Sequence, residues 1–253
     1  MTIKPYYETE LGKLYHGDCL QIMPELEPVD LVLTDPPYGT TTCSWDSVIP
    51  VEQMWEQLKR VIRSNGVVVM TASQPFTTTL ISSNMNMFKY CWVWDKKRPS
   101  NPMLAKKQCL KVHEDVVVFY GKFGTYNPQG IFKTDGKPRG GVNPSKTELG
   151  FGRGIKKKYK QTVSGYPKSI VSIGSNNIKN VHPTQKPVEL MEYLIKTYTN
   201  ENDAVLDFCI GSGTTAAACE RLKRKWIGIE IEEKYCEIAA KRIEAERKQL
   251  KLF

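Results

Sequence analysis

Histidine is scarce in this chain, three residues among 253, and no Cys-x-x-Cys pair occurs, which excludes the common zinc-knuckle and dithiol redox patterns. The seven cysteines are odd in number and widely spaced, from Cys19 through Cys43, Cys91, Cys109, Cys209 and Cys219 to Cys236. They read as reduced, mostly buried thiols. His113 and His182 have no carboxylates or cysteines clustered with them in a ligand spacing and read as structural, so no metal is expected. Apolar runs long enough to span a bilayer are also missing, and Met1 to Tyr7 lacks a signal core, so a soluble, cytoplasmic protein is expected. Acidic residues are the minority: 27 Asp and Glu stand against 36 Lys and Arg, a net charge of +9. That balance favours a polyanionic partner such as nucleic acid; charge alone leaves a merely basic soluble protein as the alternative.

A hydrophobic content of 40% over this length is enough for one substantial core, hence one α/β domain with an insertion rather than two independent domains. Two apolar strands, each running straight into an unusual turn, frame the chain. Asp30 to Thr34 leads into Asp35-Pro36-Pro37-Tyr38, and Ala204 to Phe208 into Gly211-Ser212-Gly213. Each resembles the carboxyl end of a parallel strand, where open α/β sheets place ligands. Between them helix and strand signals alternate. Met54, Leu58, Val61 and Ile62 share one face of a helix over Val51 to Arg63, which Asn65-Gly66 ends ahead of a strand over Val67 to Thr71. A helix over Phe76 to Met85 and strands over Tyr90 to Trp94 and Glu114 to Tyr120 follow, the pattern of a doubly wound sheet. From 121 to 180 Gly, Pro, Lys and Ser become frequent and periodicity fades, predicting a loop-rich insertion. Helices over Val188 to Tyr198, Thr214 to Leu222 and from Glu233 onward, with strands over Ala204 to Phe208 and Trp226 to Glu230, complete the pattern.

A strand ending in Asp207, glycines at 211 and 213, and Thr214-Thr215 opening an Ala-rich helix form a backbone cradle in sequence. Glycine lets a ligand approach the main chain, and a helix N-terminus offers free N–H groups. Trp226 to Glu230 is a second short strand, ending in an acid at the spacing where nucleoside-binding sheets place a carboxylate on ribose hydroxyls. Capping the last helix, the alternative task for an acid here, suits Glu232 and Glu233 better.

Asp-Pro-Pro-Tyr directly after a strand makes a rigid turn, because consecutive prolines fix their own φ and donate no hydrogen bonds. Its carboxylate, carbonyls and ring suit a planar amine. An exocyclic amino group is a poor nucleophile, since its lone pair is delocalised into the heteroaromatic ring. If Asp35 and the Pro36 carbonyl each accept one N–H, the nitrogen is drawn toward tetrahedral geometry with its lone pair oriented. Tyr38 would stack on the base, and a base reaching such a pocket must leave its duplex. A strand-ending turn with a surface acid is the bland alternative.

The ordered set of these motifs resembles the amino-group DNA methyltransferases of the beta arrangement, in which the catalytic tetrapeptide precedes the target-recognition region and the glycine loop follows it. Here the order is Asp35-Pro36-Pro37-Tyr38, the 121–180 insertion, His182-Pro183-Thr184-Gln185-Lys186-Pro187, then Asp207 to Thr215 and Glu230. The resemblance spans essentially the whole chain. It implies a Rossmann-like, doubly wound, mostly parallel sheet of the S-adenosylmethionine-dependent methyltransferase type, one catalytic domain over 1–253 with a target-recognition region at 121–180. It further implies adenine-specific, N6-directed methylation of duplex DNA by base flipping, with S-adenosylhomocysteine as product.

The resemblance also assigns residues. Asp35, Pro36, Pro37 and Tyr38 form the catalytic corner. Asp207, Gly211, Ser212, Gly213 and Thr214 approach the methionine part of the cofactor, with Thr184 and Lys186 assisting. Glu230 takes the ribose and Ile231 lies against the adenine of the cofactor. Asp18, in Gly17-Asp18, matches an element near that adenine, where an ordinary turn is the alternative. Many relatives have Asp-Pro-Phe before the glycine loop, whereas this chain reads Asp207-Phe208-Cys209-Ile210, so the aromatic contact is taken by Cys209 or displaced to Phe208. Trp92, Trp94 and His113-Glu114 also match family elements; for the tryptophans the core is the safer reading.

DNA contacts are expected from Lys96, Lys97, Arg98, Lys106, Lys107 and Lys111. Arg139, Arg153, Lys156, Lys157 and Lys158 in the insertion join them, a solvated basic face being the alternative. Besides DNA, a second copy of the chain and a cognate restriction endonuclease are candidate partners. Cytosine N4 is the nearest rival target, although relatives of that kind more often carry serine in place of Asp35. Methylation at cytosine carbon-5 needs a thiolate, and the chain has no Pro-Cys pair. A catalytically silent DNA-binding relative and an RNA or protein methyltransferase are the remaining alternatives.

Overall fold

The structure is a computed structural model that describes residues 3–40, 46–139, 159–174 and 185–250. The chain divides into two compact units, Met1–Asn127 with Ser169–Phe253, and Pro128–Lys168. In chain order the elements are β1 Tyr7–Glu8, β2 Gly12–His16, α1 Cys19–Ile22, β3 Val29–Thr34, α2 Val51–Val61, β4 Ile62–Ala72, α3 Phe76–Ser83, β5 Phe88–Asp95 and β6 His113–Phe119. Then come β7 Phe132–Arg139, β8 Tyr159–Ser164, β9 Ile170–Ser172, α4 Val188–Tyr198, β10 Ala204–Asp207, α5 Thr214–Leu222, β11 Lys225–Glu230 and α6 Glu233–Leu250.

Nine strands of the larger unit form one sheet in the order β1-β2-β11-β10-β3-β4-β6-β5-β9. The strands β2, β11, β10, β3 and β4 run parallel, while β6 is antiparallel to both of its neighbours. Strand alternation sorts the core into two layers. Leu31, Leu33, Val67 and Val69 pack with Leu194 of α4, Ala216 of α5 and Ile243 of α6. Val32, Val68 and Met70 face the other way, against Leu58 and Val61 of α2 and Leu80 of α3. The result is the expected doubly wound α/β arrangement with a mostly parallel, mixed sheet. Full burial of Leu58 and Val61 contributes about 1.5–3 kcal/mol each. Trp92 Nε1 donates to the Tyr198 hydroxyl at 2.7 Å, fastening α4 to β5 inside the core.

Two local expectations change. The helix ends at Val61, and Ile62 enters β4 with no intervening turn. Gly66 lies within that strand: a Cβ there would meet the Asp30 carbonyl oxygen at 2.9 Å and the Ile62 side chain at 2.7 Å, so this glycine serves close packing. The stretch 121–180 is not wholly loop. β7 pairs with β8 in a separate two-stranded sheet of the smaller unit, and β9 joins the edge of the large sheet beside β5. Among the described residues no helix is long and apolar enough to cross a membrane.

Candidate active site

The carboxyl ends of β2, β3, β4, β10 and β11 meet at one sheet edge. Because β6 is antiparallel, its first residues lie at that edge too, with Ala72 paired to Asp115 and Asp95 to His113. A cavity of about 770 Å³ opens there, lined by both Asp35 and Gly211. The diproline corner and the glycine loop, distant in sequence, therefore share one cleft.

At the corner, the Asp35 carboxylate is almost fully engaged. Oδ1 accepts from the Tyr38 hydroxyl at 2.7 Å and from the Thr71 hydroxyl at the end of β4. Oδ2 accepts from Lys186 Nζ at 2.6 Å. An ionised carboxylate has about four acceptor directions, so these three bonds leave one, on Oδ2, for a further N–H. Tyr38 stacks on Phe76 at 5.3 Å between centroids, and the Lys186 ammonium lies 5.6 Å from its ring centre. Burial, and then the Asp35 and Glu114 charges, push the Tyr38 phenol well above its ordinary pKa, keeping it a neutral donor.

Lys186 stands between two carboxylates, since Glu114 Oε2 lies 3.4 Å away on its other side. Burial alone would depress the ammonium; Asp35 and Glu114 outweigh it and hold the pKa above the ordinary lysine value. Glu114 is balanced in the opposite sense: burial would raise its pKa, but Lys186 and Lys96 hold it below the usual carboxylate range. Lys96 donates to Glu114 Oε1 at 2.9 Å and to Ser100 at 3.1 Å.

The glycine loop occupies the other half of the cleft. Gly211 and Gly213 have φ of 53° and 80°, the left-handed region that glycine adopts without strain. At Gly213 a Cβ would also meet Ala239 Cβ at 3.0 Å, so α5 and α6 need glycine to approach. Asp207 is 4% exposed and held by three donors, the hydroxyls of Thr34 at 2.7 Å and Thr215 at 2.6 Å and the Cys209 amide at 3.1 Å. Burial nevertheless dominates and pushes its pKa up to about 6. Glu230 accepts from the Gly211 amide at 2.8 Å and the Glu232 amide at 3.0 Å, which pins the loop to the end of β11. Burial raises its pKa as well.

The remaining sequence-derived candidates fall into three groups. Asp18 lines the cavity and caps α1, accepting from the Leu20 amide at 2.9 Å. Phe208, Cys209, Ser212, Thr214 and Ile231 also line it; Phe208 is buried in the core while Ile231 is 60% exposed. Lys186 is bonded to the diproline corner, while its neighbour Gln185 accepts from the Ser212 hydroxyl of the glycine loop at 3.3 Å. Thr184 lies outside the described residues. Among the basic residues, Lys97, Arg98, Lys106 and Lys107 are exposed. Lys96 is 8% exposed and ion-paired with Glu114, so it does not offer its charge at the surface. Lys111 turns to Ser73 inside the cleft. Arg139 ends β7 in the smaller unit, and Arg153, Lys156, Lys157 and Lys158 lie outside the described residues.

Thr71 is a site residue that the sequence pattern does not single out, and Glu114 one that it gives only as part of a family element, with no role. A signal exists for both: a polar residue closing the apolar run Val67 to Met70, and a carboxylate heading the run Val116 to Phe119. Which of these strand ends face each other depends on strand order, and strand order is not written in spacing. Trp94 combines its two readings, being 2% exposed with its indole N–H on the Ile173 carbonyl while also lining the cavity. Among the described residues no three His, Cys, Asp or Glu gather in a metal-holding group.

Comparison with known proteins places the chain in a family. The family model N6_N4_Mtase, described as DNA methylase, matches residues 29–241. The Type II methyltransferase M2.LlaDCHI of Lactococcus lactis subsp. cremoris is 29% identical over 267 aligned residues, covering 95% of this chain and 92% of that protein. The crystal structure of an M1.HpyAVI–SAM complex superposes with a TM-score of 0.66 at 26% identity, over 92% of this chain and 98% of the other. The PvuII DNA methyltransferase, described as cytosine-N4-specific, gives a TM-score of 0.70 at 17% identity over 98% and 95% of the two chains, a likeness of fold alone.

Proposed function

Since the chain belongs to the N6_N4_Mtase family of DNA methylases, we propose that it methylates adenine N6 in a specific duplex sequence, with S-adenosylmethionine as methyl donor. The observation that carries this reading is the shared cleft, with the Asp35 corner at one end and the Gly211 to Gly213 loop at the other. The loop half suits the cofactor: its glycines leave the backbone open, Phe208, Ile210 and Ile231 give an apolar wall, and Asp18 and Glu230 supply carboxylates. These residues would hold the cofactor, with Glu230 toward the ribose. When bound, S-adenosylmethionine supplies a methyl group activated by its sulfonium.

The protein's own groups prepare the nucleophile. The free acceptor direction on Asp35 Oδ2 takes one N–H of the target amino group and the Pro36 carbonyl takes the other, which orients the nitrogen lone pair. Thr71, Tyr38 and Lys186 fix the carboxylate so that no reorganisation is needed at that moment. Enclosure of this corner requires the base to swing out of the duplex. The smaller unit, Pro128–Lys168, within the basic 121–180 region, serves target recognition in this reading. Aspartate at position 35 favours adenine over cytosine N4, for which the chemistry is the same. The test is methyl transfer from labelled S-adenosylmethionine to unmodified genomic DNA, followed by digestion to nucleosides and mass spectrometry. N6-methyladenine is expected. N4-methylcytosine would overturn the choice of base, and absence of transfer to DNA would overturn the function.

A further inference from the structure

Four charges alternate in sign along the wall of the cleft. From Asp35 the row passes to Lys186 at 2.6 Å, on to Glu114 at 3.4 Å and ends at Lys96, 2.9 Å beyond. All four side chains are largely shielded, with exposures of 22%, 7%, 14% and 10% in that order. The row exists because β6 runs back into the edge where β3 and β5 end, bringing Glu114 beside the residues that follow them. Glu114 Oε2 has no hydrogen-bond donor among the described residues; what it faces is the Lys186 charge. Its contribution there is electrostatic.

That matters because the Asp35 corner, on the reading above, must favour positive charge. Methyl transfer places one unit of positive charge on the amino nitrogen, which keeps it until an N–H proton leaves to water. An ammonium on the same carboxylate opposes this, and in a shielded site the opposition is strong. We propose that Glu114 is a positioning residue for the methyl-transfer step, cancelling the Lys186 charge so that Asp35 fixes the amino group and still presents negative potential to it. Lys186 then orients the carboxylate without taxing the reaction, and Lys96 keeps Glu114 ionised from outside. Removing the Glu114 charge leaves one carboxylate facing two ammonium groups.

The proposal rests on the assignment of Asp35 to the target amino group, and its test separates the two. Single-turnover methyl transfer to unmodified genomic DNA would be measured for Glu114→Gln, for Glu114→Asp and for Glu114→Gln combined with Lys96→Met, alongside calorimetric affinity for S-adenosylhomocysteine and thermal melting. Glu114→Gln should slow transfer by about 10- to 100-fold, the effect of one unbalanced charge at this range, with cofactor affinity within about twofold. The double variant, which removes the second unbalanced ammonium but leaves Lys186 without Glu114, should regain part of the rate, and Glu114→Asp should retain much of it. A purely structural glutamate would make the double variant worse than the single one. A wild-type rate in Glu114→Gln, or no recovery in the folded double variant, would overturn the proposal. If Glu114→Gln alone melts below the assay temperature, the double variant decides by its own rate. Asp35→Asn is the parallel control: should it transfer methyl groups at the wild-type rate, the fault lies with the Asp35 assignment instead.

Discussion

Lys186 Nζ sits 2.6 Å from Asp35 Oδ2, joining positions 151 residues apart. The segment that leads into α4 is thereby tied to the corner that closes β3, and the ammonium is the counter-charge that lets Asp35 and Glu114 share a shielded site. Lys186→Met should cost about 2–4 kcal/mol of stability at neutral pH, because it strands the Asp35 carboxylate and leaves Glu114 with Lys96 as its one counter-charge among the described residues. The sign with pH follows from Glu114. Its folded pKa lies below the ordinary 4.5, so its stabilisation is present above that value and is lost as pH falls through the folded pKa. Without Lys186 the larger share of that gain is lost, Lys96 keeping the rest, and the deficit of the variant should narrow as the medium is acidified below about pH 4.5. Urea unfolding at pH 7 and pH 4 checks both parts; equal stability of the two proteins at pH 7 would contradict the account.

Asp207 has the opposite pH behaviour. Burial pushes its folded pKa from 3.8 up to about 6, despite three hydrogen bonds to the ionised form. An acid whose pKa is raised by folding contributes stability that is complete below the unfolded value and is lost as pH rises through the folded one. Asp207→Asn removes that titration while keeping the shape: Thr34 and the Cys209 amide can still donate to the amide oxygen, and the Thr215 hydroxyl can turn to accept from the new amide nitrogen. Relative to wild type, the variant should gain on the order of 2–3 kcal/mol as pH goes from 3.5 to 7. The stability difference followed over that range by denaturant unfolding is the measurement, and a flat difference would show that Asp207 is not the titrating group.

Much of this arrangement is legible in the sequence because its strongest signals are local. An apolar run that meets two prolines, or two glycines and a threonine, can continue neither as strand nor as the same helix, and both corners lie where those runs end. Helices α4 and α5 begin and end where their apolar periodicity does. What escapes a local reading is set by partners far away in the chain. β2 is a five-residue strand with charged neighbours, recognisable only once β11 lies beside it. β9 has three residues and depends on β5. Lys96 follows a tryptophan-rich strand and reads as a surface charge; the carboxylate that draws it inward arrives on an antiparallel strand. Lys186, expected beside the cofactor, is held by Asp35, 151 residues earlier at the end of β3.

Glu230 accepts two backbone amides, one of them from Gly211, so the residue proposed to meet the ribose also holds the glycine loop in place. Glu230→Ala should therefore weaken cofactor affinity by about 10- to 100-fold, the range expected for losing hydrogen bonds to a charged group. Affinity for DNA should change by less than about twofold, as the lysines proposed to meet DNA are elsewhere. Calorimetry with S-adenosylhomocysteine and, separately, with duplex DNA distinguishes the two. An unchanged cofactor affinity would remove Glu230 from the cofactor site.

The segment between β5 and β6 divides its cations into two kinds. Lys96 is buried against Glu114, whereas Lys97, Arg98, Lys106 and Lys107 are exposed on a loop whose two ends are clipped together by the Lys96 amide on the Val112 carbonyl at 2.8 Å and, further in, the Ser100 amide on the Lys111 carbonyl at 3.0 Å. Ser100 and Lys111 both line the cleft, so the loop that carries the exposed charges departs from and returns to its wall, and these charges are proposed to meet the backbone of a duplex delivering a base. Each phosphate neutralised releases counterions and adds about 0.9 to the slope of log affinity against log salt. Replacing Lys97, Lys106 and Lys107 by alanine should flatten that slope by about 2–3, while Lys96→Met, which removes a charge already paired, should leave it unchanged. Anisotropy of a labelled duplex between 50 and 200 mM salt (about the range over which such slopes are resolved) reads both directly. A slope that drops for Lys96→Met and holds for the triple variant would reverse the assignment of inner and outer lysines.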